Sequence, residues 1–388
     1  MPPRRKPPTE KPSLEAFDSI ALLLQGGGAL GAYQGGVCEA LAECGIEPGW
    51  IAGISIGAIN AAIIAGNPPE MRCVRLRRFW EQVSEGQASR WAHWWLDGAR
   101  LGSGAHSVLN RLGAMEALVA GAPGFFTPRI SGFGFPPLGV TSWYDTSPLE
   151  ATLEELVDFD RLNNGGMRVS LGAVNVRTGN FAYFDTTTHR IGPRHIIASG
   201  ALPPGFPPVE IDGELYWDGG LVSNTPLEWV FRQSKARGML AFQVDLWSAR
   251  GEAPRDLTEV AVRQKEIQFS SRTRAGTDHL KRVQAFRTAV LRLLEHAPAE
   301  LKASDDGKLL AEFADRKVAN IVQLIYRTRP HEVDSKDYNF SRLAMEEHWR
   351  VGRQDARRAL RHPEIFEPPQ GEDSVQTFDF RPEPGEPG

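Results

Sequence analysis

The pentapeptide Gly53-Ile54-Ser55-Ile56-Gly57 constrains the fold of this chain more than any other segment. The apolar run Trp50 to Ala52 precedes it, and a small-residue helical pattern at residues 58–65 follows it. This order predicts a strand, a sharp turn and a helix, the context in which such a segment forms a nucleophile elbow. We expect side chains at Gly53 and Gly57 to collide with the neighbouring strand and helix. Ser55 then lies at a helix N-terminus, which favours developing negative charge, and the segment points to acyl transfer.

A glycine-rich loop upstream is the candidate oxyanion hole. The apolar run Ile20 to Leu24 predicts a strand buried on both faces of a parallel sheet, and it leads into Gly26-Gly27-Gly28-Ala29-Leu30-Gly31. Consecutive glycines leave backbone N–H groups clear of side chains, so those of Gly26, Gly27 and Gly28 can point at an anion beside the elbow.

The same loop fits a second interpretation. Gly26, Gly28 and Gly31 have the spacing of a dinucleotide-binding fingerprint. A dinucleotide site requires an acidic residue at the end of the next strand, and this chain has the serine elbow there. The sequence therefore favours the oxyanion hole.

The candidate general base is Asp218, in the segment Trp217-Asp218-Gly219-Gly220-Leu221. An Asp-Gly pair between apolar runs is typical of a hairpin turn, and we assign Asp212-Gly213 to such a turn. At Asp218 the second glycine, Gly220, and the following Ser223-Asn224-Thr225-Pro226 indicate a backbone that passes close to another group, which favours a site. The ordinary pKa of an aspartate is about 3.9, so we expect desolvation to raise that of Asp218 if it is to accept a serine proton directly.

In this combination the chain resembles the patatin-like phospholipases, a family of serine–aspartate dyad acyl hydrolases. The resemblance covers roughly residues 18–250, and Ala198-Ser199-Gly200-Ala201-Leu202-Pro203 adds to the three motifs above. It implies that Ser55 is the nucleophile, that Asp218 is the base and that the N–H groups around Gly27 and Gly28 bind the oxyanion. It also implies a phospholipid or lysophospholipid substrate and no metal or organic cofactor.

One position departs from the family pattern. Many members carry a basic residue where this chain has Leu30. Leu30 is the feature that favours a non-enzymatic alternative, a catalytically weak lipid-binding or regulatory protein that retains the fold.

A competing enzymatic interpretation is an α/β-hydrolase with a serine, acid and histidine triad. The histidines that follow Asp218 include His279, His296, His331 and His348. The elbow follows the second predicted strand, whereas an α/β-hydrolase elbow follows several strands. His279 and His348 also fall in helical patterns, so the sequence favours the dyad.

Composition narrows the partners and the compartment. The net charge of −4 gives no basic excess for binding nucleic acid. The three cysteines, Cys38, Cys44 and Cys73, lack metal-site spacing and predict a reducing, cytoplasmic compartment. Residues 263–292 are rich in basic side chains, for which a solvated helix face is favoured over peripheral docking on an anionic membrane. Nothing in the sequence indicates an oligomeric state.

We predict an α/β fold with a mostly parallel central sheet flanked by helices and a helical C-terminal region. The predicted organisation is a disordered arm at 1–17, a catalytic domain at 18–250, a helical domain at 251–366 and a disordered acidic tail at 367–388. Lys336-Asp337-Tyr338-Asn339-Phe340 resembles the C-terminal region of some bacterial family members and adds no chemistry.

Two aromatic segments have two interpretations each. The loop Gly121 to Val140, which contains Phe125, Phe126, Phe133 and Phe135, is either a buried connecting loop or a functional segment, a lid or an acyl-chain wall. For the cluster Trp91, Trp94 and Trp95, a core position is favoured over a lipid interface.

Overall fold

The computed structural model of this chain describes residues 14–86, 103–129, 140–327, 336–370 and 374–381. The strands are β1 (Ser19–Leu24), β2 (Trp50–Ile54), β3 (Thr127–Pro128), β4 (Tyr144–Asp145), β5 (Arg168–Asn175), β6 (Phe181–Asp185), β7 (Val209–Ile211), β8 (Glu214–Asp218), β9 (Gly238–Asp245), β10 (Val318–Ile325) and β11 (Val375–Phe378). The helices are α1 (Ala32–Glu43), α2 (Ile56–Ala65), α3 (Pro69–Val83), α4 (Ser103–Ala120), α5 (Ser147–Leu156), α6 (Phe159–Asn164), α7 (Pro193–Ser199), α8 (Leu227–Gln233), α9 (Leu257–His296), α10 (Ala299–Ala303), α11 (Asp305–Phe313) and α12 (Arg342–Ala359).

A central sheet in the order β11-β10-β9-β1-β2-β5-β8-β7 organises the molecule, with β6 paired to β5. The six strands from β11 to β5 are parallel to their neighbours, and β6, β7 and β8 pair antiparallel. The predicted α/β class with a mostly parallel sheet is confirmed. β1 lies in the middle, so Leu22 and Leu24 enter one core cluster while Ala21 and Leu23 enter the cluster on the opposite face.

The sheet places the chemistry at one edge. The parallel strands β1 and β2 end side by side, with Leu24 paired to Gly53. The glycine loop follows β1 and the serine follows β2, so the two segments meet at the carboxyl edge, where open α/β sheets bind their ligands.

The C-terminal region is helical, as predicted, but it is not a separate domain. β10 pairs with β9 from Val318–Gly238 to Ile325–Asp245, which extends the central sheet beyond the predicted boundary at residue 250. The predicted disordered tail is also wrong in part, because β11, within it, pairs with β10. A strand edge has unpaired N–H and C=O groups, and pairing with β11 covers that edge of β10.

Close helix packing holds the same region against the catalytic part of the chain. A Cβ on Gly36 of α1 would lie 1.9 Å from the carbonyl oxygen of Trp349, and a Cβ on Gly352 of α12 would lie 2.0 Å from that of Tyr33. Glycine at both positions lets the backbones of α1 and α12 touch. The helical C-terminal region therefore stabilises the helix that follows the glycine loop.

Some sequence predictions concern residues outside the described ranges. These are the arm up to residue 13, the cluster Trp91, Trp94 and Trp95, and residues 130–139 with Phe133 and Phe135. At the described end of the predicted arm, Phe17 is buried in the core, so that part of the prediction is wrong. No helix in the described ranges has the length and hydropathy required to cross a bilayer.

Candidate active site

Ser55 occupies a strained turn between β2 and α2. Its φ of 57° and ψ of −126° are unusual for a residue with a side chain. A Cβ on Gly53 would lie 2.2 Å from the carbonyl oxygen of Gly57, and a Cβ on Gly57 would lie 2.3 Å from that of Leu24. Both glycines are therefore required by the tightness of the turn, which is the reason the sequence suggested, and the geometry is that of a nucleophile elbow.

Asp218 lies at the end of β8, directly opposite the elbow. Its side chain is 2% exposed and accepts a hydrogen bond from the Gly220 N–H at 2.7 Å. The Ser55 side chain lies close enough to this carboxyl to lower its pKa. Asp212-Gly213 forms the hairpin turn between β7 and β8, with positive φ at both residues, as predicted. The structure thus separates the two Asp-Gly pairs into a turn and a site.

The environment of Asp218 changes its acidity. Burial raises the pKa of this carboxyl to about 6, although the nearby Ser55 side chain and the hydrogen bond from the Gly220 N–H act in the opposite direction. A general base is most effective when its pKa is near the working pH. Asp218 is therefore a stronger base than an ordinary aspartate.

Gly219 and Gly220 bring the strand end close to its neighbour. A Cβ on Gly219 would lie 2.7 Å from the carbonyl oxygen of Gly172 in β5. Gly220 presents its N–H to Asp218, and it lines the same cavity as that carboxyl. The two glycines thus fix the position of Asp218 relative to the sheet.

The three predicted oxyanion donors are not equivalent. The Gly26 N–H donates to Asn224 Oδ1 at 3.2 Å, so it is not available to a substrate, and the prediction is wrong for Gly26. Within the described ranges the N–H groups of Gly27 and Gly28 have no hydrogen-bond partner, and both residues line the cavity beside Ser55. Gly27 and Gly28 remain the candidate donors.

Asn224 and Trp247 hold the start of the loop, and sequence analysis did not assign either to the site. The Gly26 carbonyl accepts from Asn224 Nδ2 at 3.0 Å and from Trp247 Nε1 at 3.0 Å. The only sequence signal was the turn-like segment after Gly220. These bonds fix Gly26, so that the two glycines after it can present their N–H groups to the cavity.

Leu30 and Gly31 face away from the chemistry. The Leu30 side chain is fully buried in the core, so this position places no charge in the site. A Cβ on Gly31 would lie 2.5 Å from Ile56 Cγ1 and 2.8 Å from Trp80 Cζ2. Gly31 therefore allows the loop to pack on α2 and contributes no donor.

A mostly apolar cavity of about 300 Å³ opens at Ser55 and Asp218. Phe125 lies 5.7 Å from Phe340, and Phe126 lies 5.3 Å from Phe206, measured between ring centroids. Further apolar lining comes from Ile56, Ile59, Leu118, Leu202 and Trp247. Of the two interpretations of the loop 121–140, its described part, with Phe125 and Phe126, matches the wall of an apolar cavity.

No histidine is among the described residues that line this cavity. His279 and His296 are exposed on α9, and His348 is buried with its ring centroid 5.2 Å from that of Tyr326. His331 is outside the described ranges. A serine, acid and histidine triad finds no support among the described residues.

Comparison with known proteins gives two family matches. A model described as patatin-like phospholipase matches residues 22–230, more than half of the chain, and a model described as patatin phospholipase matches residues 267–372. Patatin-like phospholipase domain-containing protein 7 of Mus musculus and that of Rattus norvegicus are each 27% identical over 227 residues. This match covers 58% of the chain but only 14% of each relative.

A solved structure also aligns with the chain. The crystal structure of VipD from Legionella pneumophila aligns with 89% of this chain and 67% of that one, with a TM-score of 0.38 and 14% identity.

Proposed function

The chain belongs to the patatin-like phospholipase family, a family of lipid hydrolases, and we propose that it hydrolyses an acyl ester of a phospholipid or lysophospholipid through an acyl-enzyme on Ser55. The observation that carries this proposal is the placement of the Ser55 side chain beside the buried Asp218 carboxyl, with both residues lining one mostly apolar cavity. A serine at its free pKa is a weak nucleophile and needs such a base.

The proposed reaction has two half-reactions. Asp218 accepts the Ser55 proton as the hydroxyl oxygen attacks the ester carbonyl, and the resulting oxyanion accepts hydrogen bonds from the N–H groups of Gly27 and Gly28. The tetrahedral intermediate then collapses, the ester C–O bond breaks, and the proton passes from Asp218 to the departing alcohol. In the second half-reaction Asp218 accepts a proton from water as the water oxygen attacks the acyl carbonyl. The bond to the Ser55 oxygen then breaks, the proton passes from Asp218 to Ser55, and the fatty acid is released.

The position of Ser55 at a helix N-terminus and the apolar lining of the cavity support the same proposal. Ser55 is the N-cap of α2, a ten-residue helix, so the positive end of the helix dipole lies beside the developing oxyanion. The ring cluster and aliphatic side chains of the cavity suit a hydrocarbon chain, because apolar surface gains about 25 cal/mol per Å² when it leaves water.

A serine-directed probe and a lipid hydrolysis assay test the proposal. The purified protein should be labelled by a fluorophosphonate, and it should release fatty acid from vesicles of mixed phospholipids and lysophospholipids, as measured by mass spectrometry. Ser55→Ala should abolish both, whereas Ser147→Ala, at an exposed serine of α5, should change neither. Labelling that persists in Ser55→Ala would contradict the nucleophile, and binding of lipid without hydrolysis would support the non-enzymatic alternative.

We propose further that an exposed apolar face beside the cavity docks on the lipid surface. In α4, Leu112, Met115, Leu118 and Val119 are between 46% and 74% exposed, and Leu118 also lines the cavity. The face is thus continuous with the route by which an acyl chain would reach Ser55. In α9, by contrast, Arg263, Lys265 and Arg287 are already paired with acidic side chains, which leaves less charge for an anionic membrane.

Vesicle flotation distinguishes the two surfaces. Met115→Glu and Val119→Glu should weaken binding to neutral phosphatidylcholine vesicles and slow hydrolysis on them, while hydrolysis of a soluble short-chain ester is unchanged. Leu257→Glu, at a leucine of α9 that is even more exposed than Met115 and Val119, is the control. Binding that requires phosphatidylglycerol and is insensitive to the α4 substitutions would favour the basic face of α9 instead.

A further inference from the structure

On the basis of the function proposed above, we propose that residues 336–340 of the C-terminal region are a working part of the active site, and that the Lys265–Asp337 ion pair positions the oxyanion loop. No sequence feature of this segment gave it a chemical role. The argument rests on how the segment contacts the glycine loop and how it is itself held.

The backbone of Asp337 lies directly against the loop. Its carbonyl oxygen accepts the Ala29 N–H at 2.7 Å, and a Cβ on Gly28 would lie 2.1 Å from the same oxygen. Gly28 has a φ of +57°, which glycine adopts without strain. Position 28 must therefore be glycine both for its own conformation and for the approach of the C-terminal segment.

Two ion pairs with reciprocal charge hold the segment against α9. Lys265 Nζ lies 2.9 and 3.0 Å from the two carboxylate oxygens of Asp337, and Lys336 Nζ lies 2.9 Å from Glu266 Oε1. The Lys336 and Glu266 side chains are 4% and 7% exposed, whereas the Lys265 and Asp337 side chains are 32% and 22% exposed. A basic and acidic pair on the helix thus meets a basic and acidic pair on the segment.

The same segment supports the other end of the loop through a tryptophan. Lys336 Nζ lies 5.3 Å from the ring centroid of Trp247, a cation–π distance, and Trp247 Nε1 donates to the Gly26 carbonyl. The loop is therefore anchored at Gly26 through Trp247 and at Ala29 through Asp337. The candidate donors Gly27 and Gly28 lie between these two anchors.

This arrangement assigns the ion pair to transition-state stabilisation more than to substrate binding. Loosening the anchor at Ala29 would reorient the Gly28 N–H, whose bond to the substrate oxygen strengthens as the oxyanion forms. The cavity wall proposed to bind the acyl chain is contributed mainly by other elements, since Asp337, Tyr338 and Phe340 are three of its many lining residues. We therefore expect an effect on kcat with little effect on KM.

A charge-reversal cycle in the full chain tests this role. Lys265→Glu and Asp337→Lys should each lower kcat for a soluble chromogenic ester by about 10- to 100-fold, since loss of an oxyanion donor costs about 10²- to 10³-fold. KM should change by less than about threefold, because uniform binding is retained. The double variant, which restores opposite charges, should recover most of the loss. The rate of fluorophosphonate labelling should fall in parallel with kcat. The pH dependence of kcat/KM should be the same as in the wild-type protein, because Asp218 is unchanged.

Arg287→Glu is the matched control. Arg287 also lies on α9 and pairs with Asp315 at 3.3 Å, and the side chains of this pair are about as exposed as those of Lys265 and Asp337, but the pair does not contact the glycine loop. It should change the melting temperature only. Lys265→Arg, which keeps the charge, should retain activity and covers the case in which a reversal fails to fold.

The inference and the proposed function fail in different ways. Single reversals that fold and react at the wild-type rate would overturn the positioning role, as would an equal loss in Arg287→Glu or a folded double variant that does not recover. Absence of Ser55 labelling in the wild-type protein would overturn the proposed function itself.

Discussion

The main-chain N–H of Ser55 donates to both the carbonyl oxygen and the hydroxyl oxygen of Ser199, at 3.1 Å each. The Ser199 hydroxyl in turn donates to the Gly172 carbonyl in β5 at 2.6 Å. Ser199 thereby ties the strained elbow to the sheet. Because the Ser55 amide is already bonded, it is unavailable to an oxyanion, unlike the nucleophile amide in chymotrypsin-like proteases. In the proposed mechanism the glycine loop supplies the donors instead.

The dyad predicts strong and non-additive losses. Ser55→Ala and Asp218→Asn should each remove nearly all ester turnover with the fold intact, because a positioned general base contributes about 10²-fold or more. The double variant should be little worse than either single variant, since the two residues act as one unit. His279→Gln and His348→Gln should keep turnover within a few-fold of wild type. More than about a tenth of the activity in Asp218→Asn would contradict its role as base.

The raised pKa of Asp218 predicts the pH dependence of the reaction. The carboxylate must be ionised to accept a proton, so kcat/KM should rise with pH and level off above about 6. Stopped assays on a soluble ester between pH 4 and 8 measure this limb, and the rate of fluorophosphonate labelling should show the same inflection. A limb near the ordinary aspartate value of about 4 would show that desolvation does not tune this base.

The same shift predicts how stability depends on pH. The folded pKa of Asp218, about 6, is above the unfolded value, so the folded protein binds the proton more tightly. Its contribution to stability is therefore fully present below pH 4 and is lost as the pH rises through about 6. Asp218→Asn removes this loss and should gain stability relative to wild type between pH 4 and pH 8, on the order of 2 kcal/mol. Urea unfolding at the two pH values measures the difference, and an unchanged difference would argue against a buried, ionised Asp218.

Two glycine substitutions separate catalysis from packing. A Cβ on Gly27 would lie 2.8 Å from Leu246 Cδ1, so Gly27→Ala should displace the loop and lower kcat by about 10²-fold or more through its N–H. Gly31→Ala meets Ile56 and Trp80 and should act mainly on the melting temperature. Ester kinetics and thermal unfolding of both variants test this pairing. Wild-type turnover in a stable Gly27→Ala protein would remove Gly27 from the oxyanion hole.

The ring cluster predicts selectivity for acyl-chain length. Phe206 lines the cavity and is partly exposed, with its ring centroid 5.9 Å from that of Phe125. Phe206→Ala should enlarge the cavity and shift the preferred chain to greater length. Each added methylene that remains buried should contribute up to about 0.8 kcal/mol, or about fourfold in kcat/KM. A series of p-nitrophenyl esters measures the shift, and an unchanged chain-length profile would mean that the acyl chain binds elsewhere.

The sequence by itself determined the local backbone geometry of the candidate site. The elbow, the glycine loop and the Asp-Gly-Gly motif each carry a backbone requirement that only glycine meets, as the close contacts at Gly53, Gly28 and Gly219 show. The apolar run before Gly26 likewise predicted a central parallel strand, because a strand buried on both faces has apolar side chains at consecutive positions and no alternation with polar ones. These features depend on neighbours along the chain and are therefore readable from it.

Only the tertiary structure decided which groups converge from distant parts of the chain. Asn224 removes Gly26 from the set of donors, Ser199 removes the Ser55 amide, and Asp337 fixes the loop from more than 300 residues away. The strands β10 and β11 likewise join the sheet through tertiary structure, because the unpaired edge of β9 pairs with a segment that is distant along the chain. Contacts between such distant segments leave no periodic pattern or fixed spacing in the sequence. The raised pKa of Asp218 depends on burial produced by these contacts, so the sequence alone could not give it.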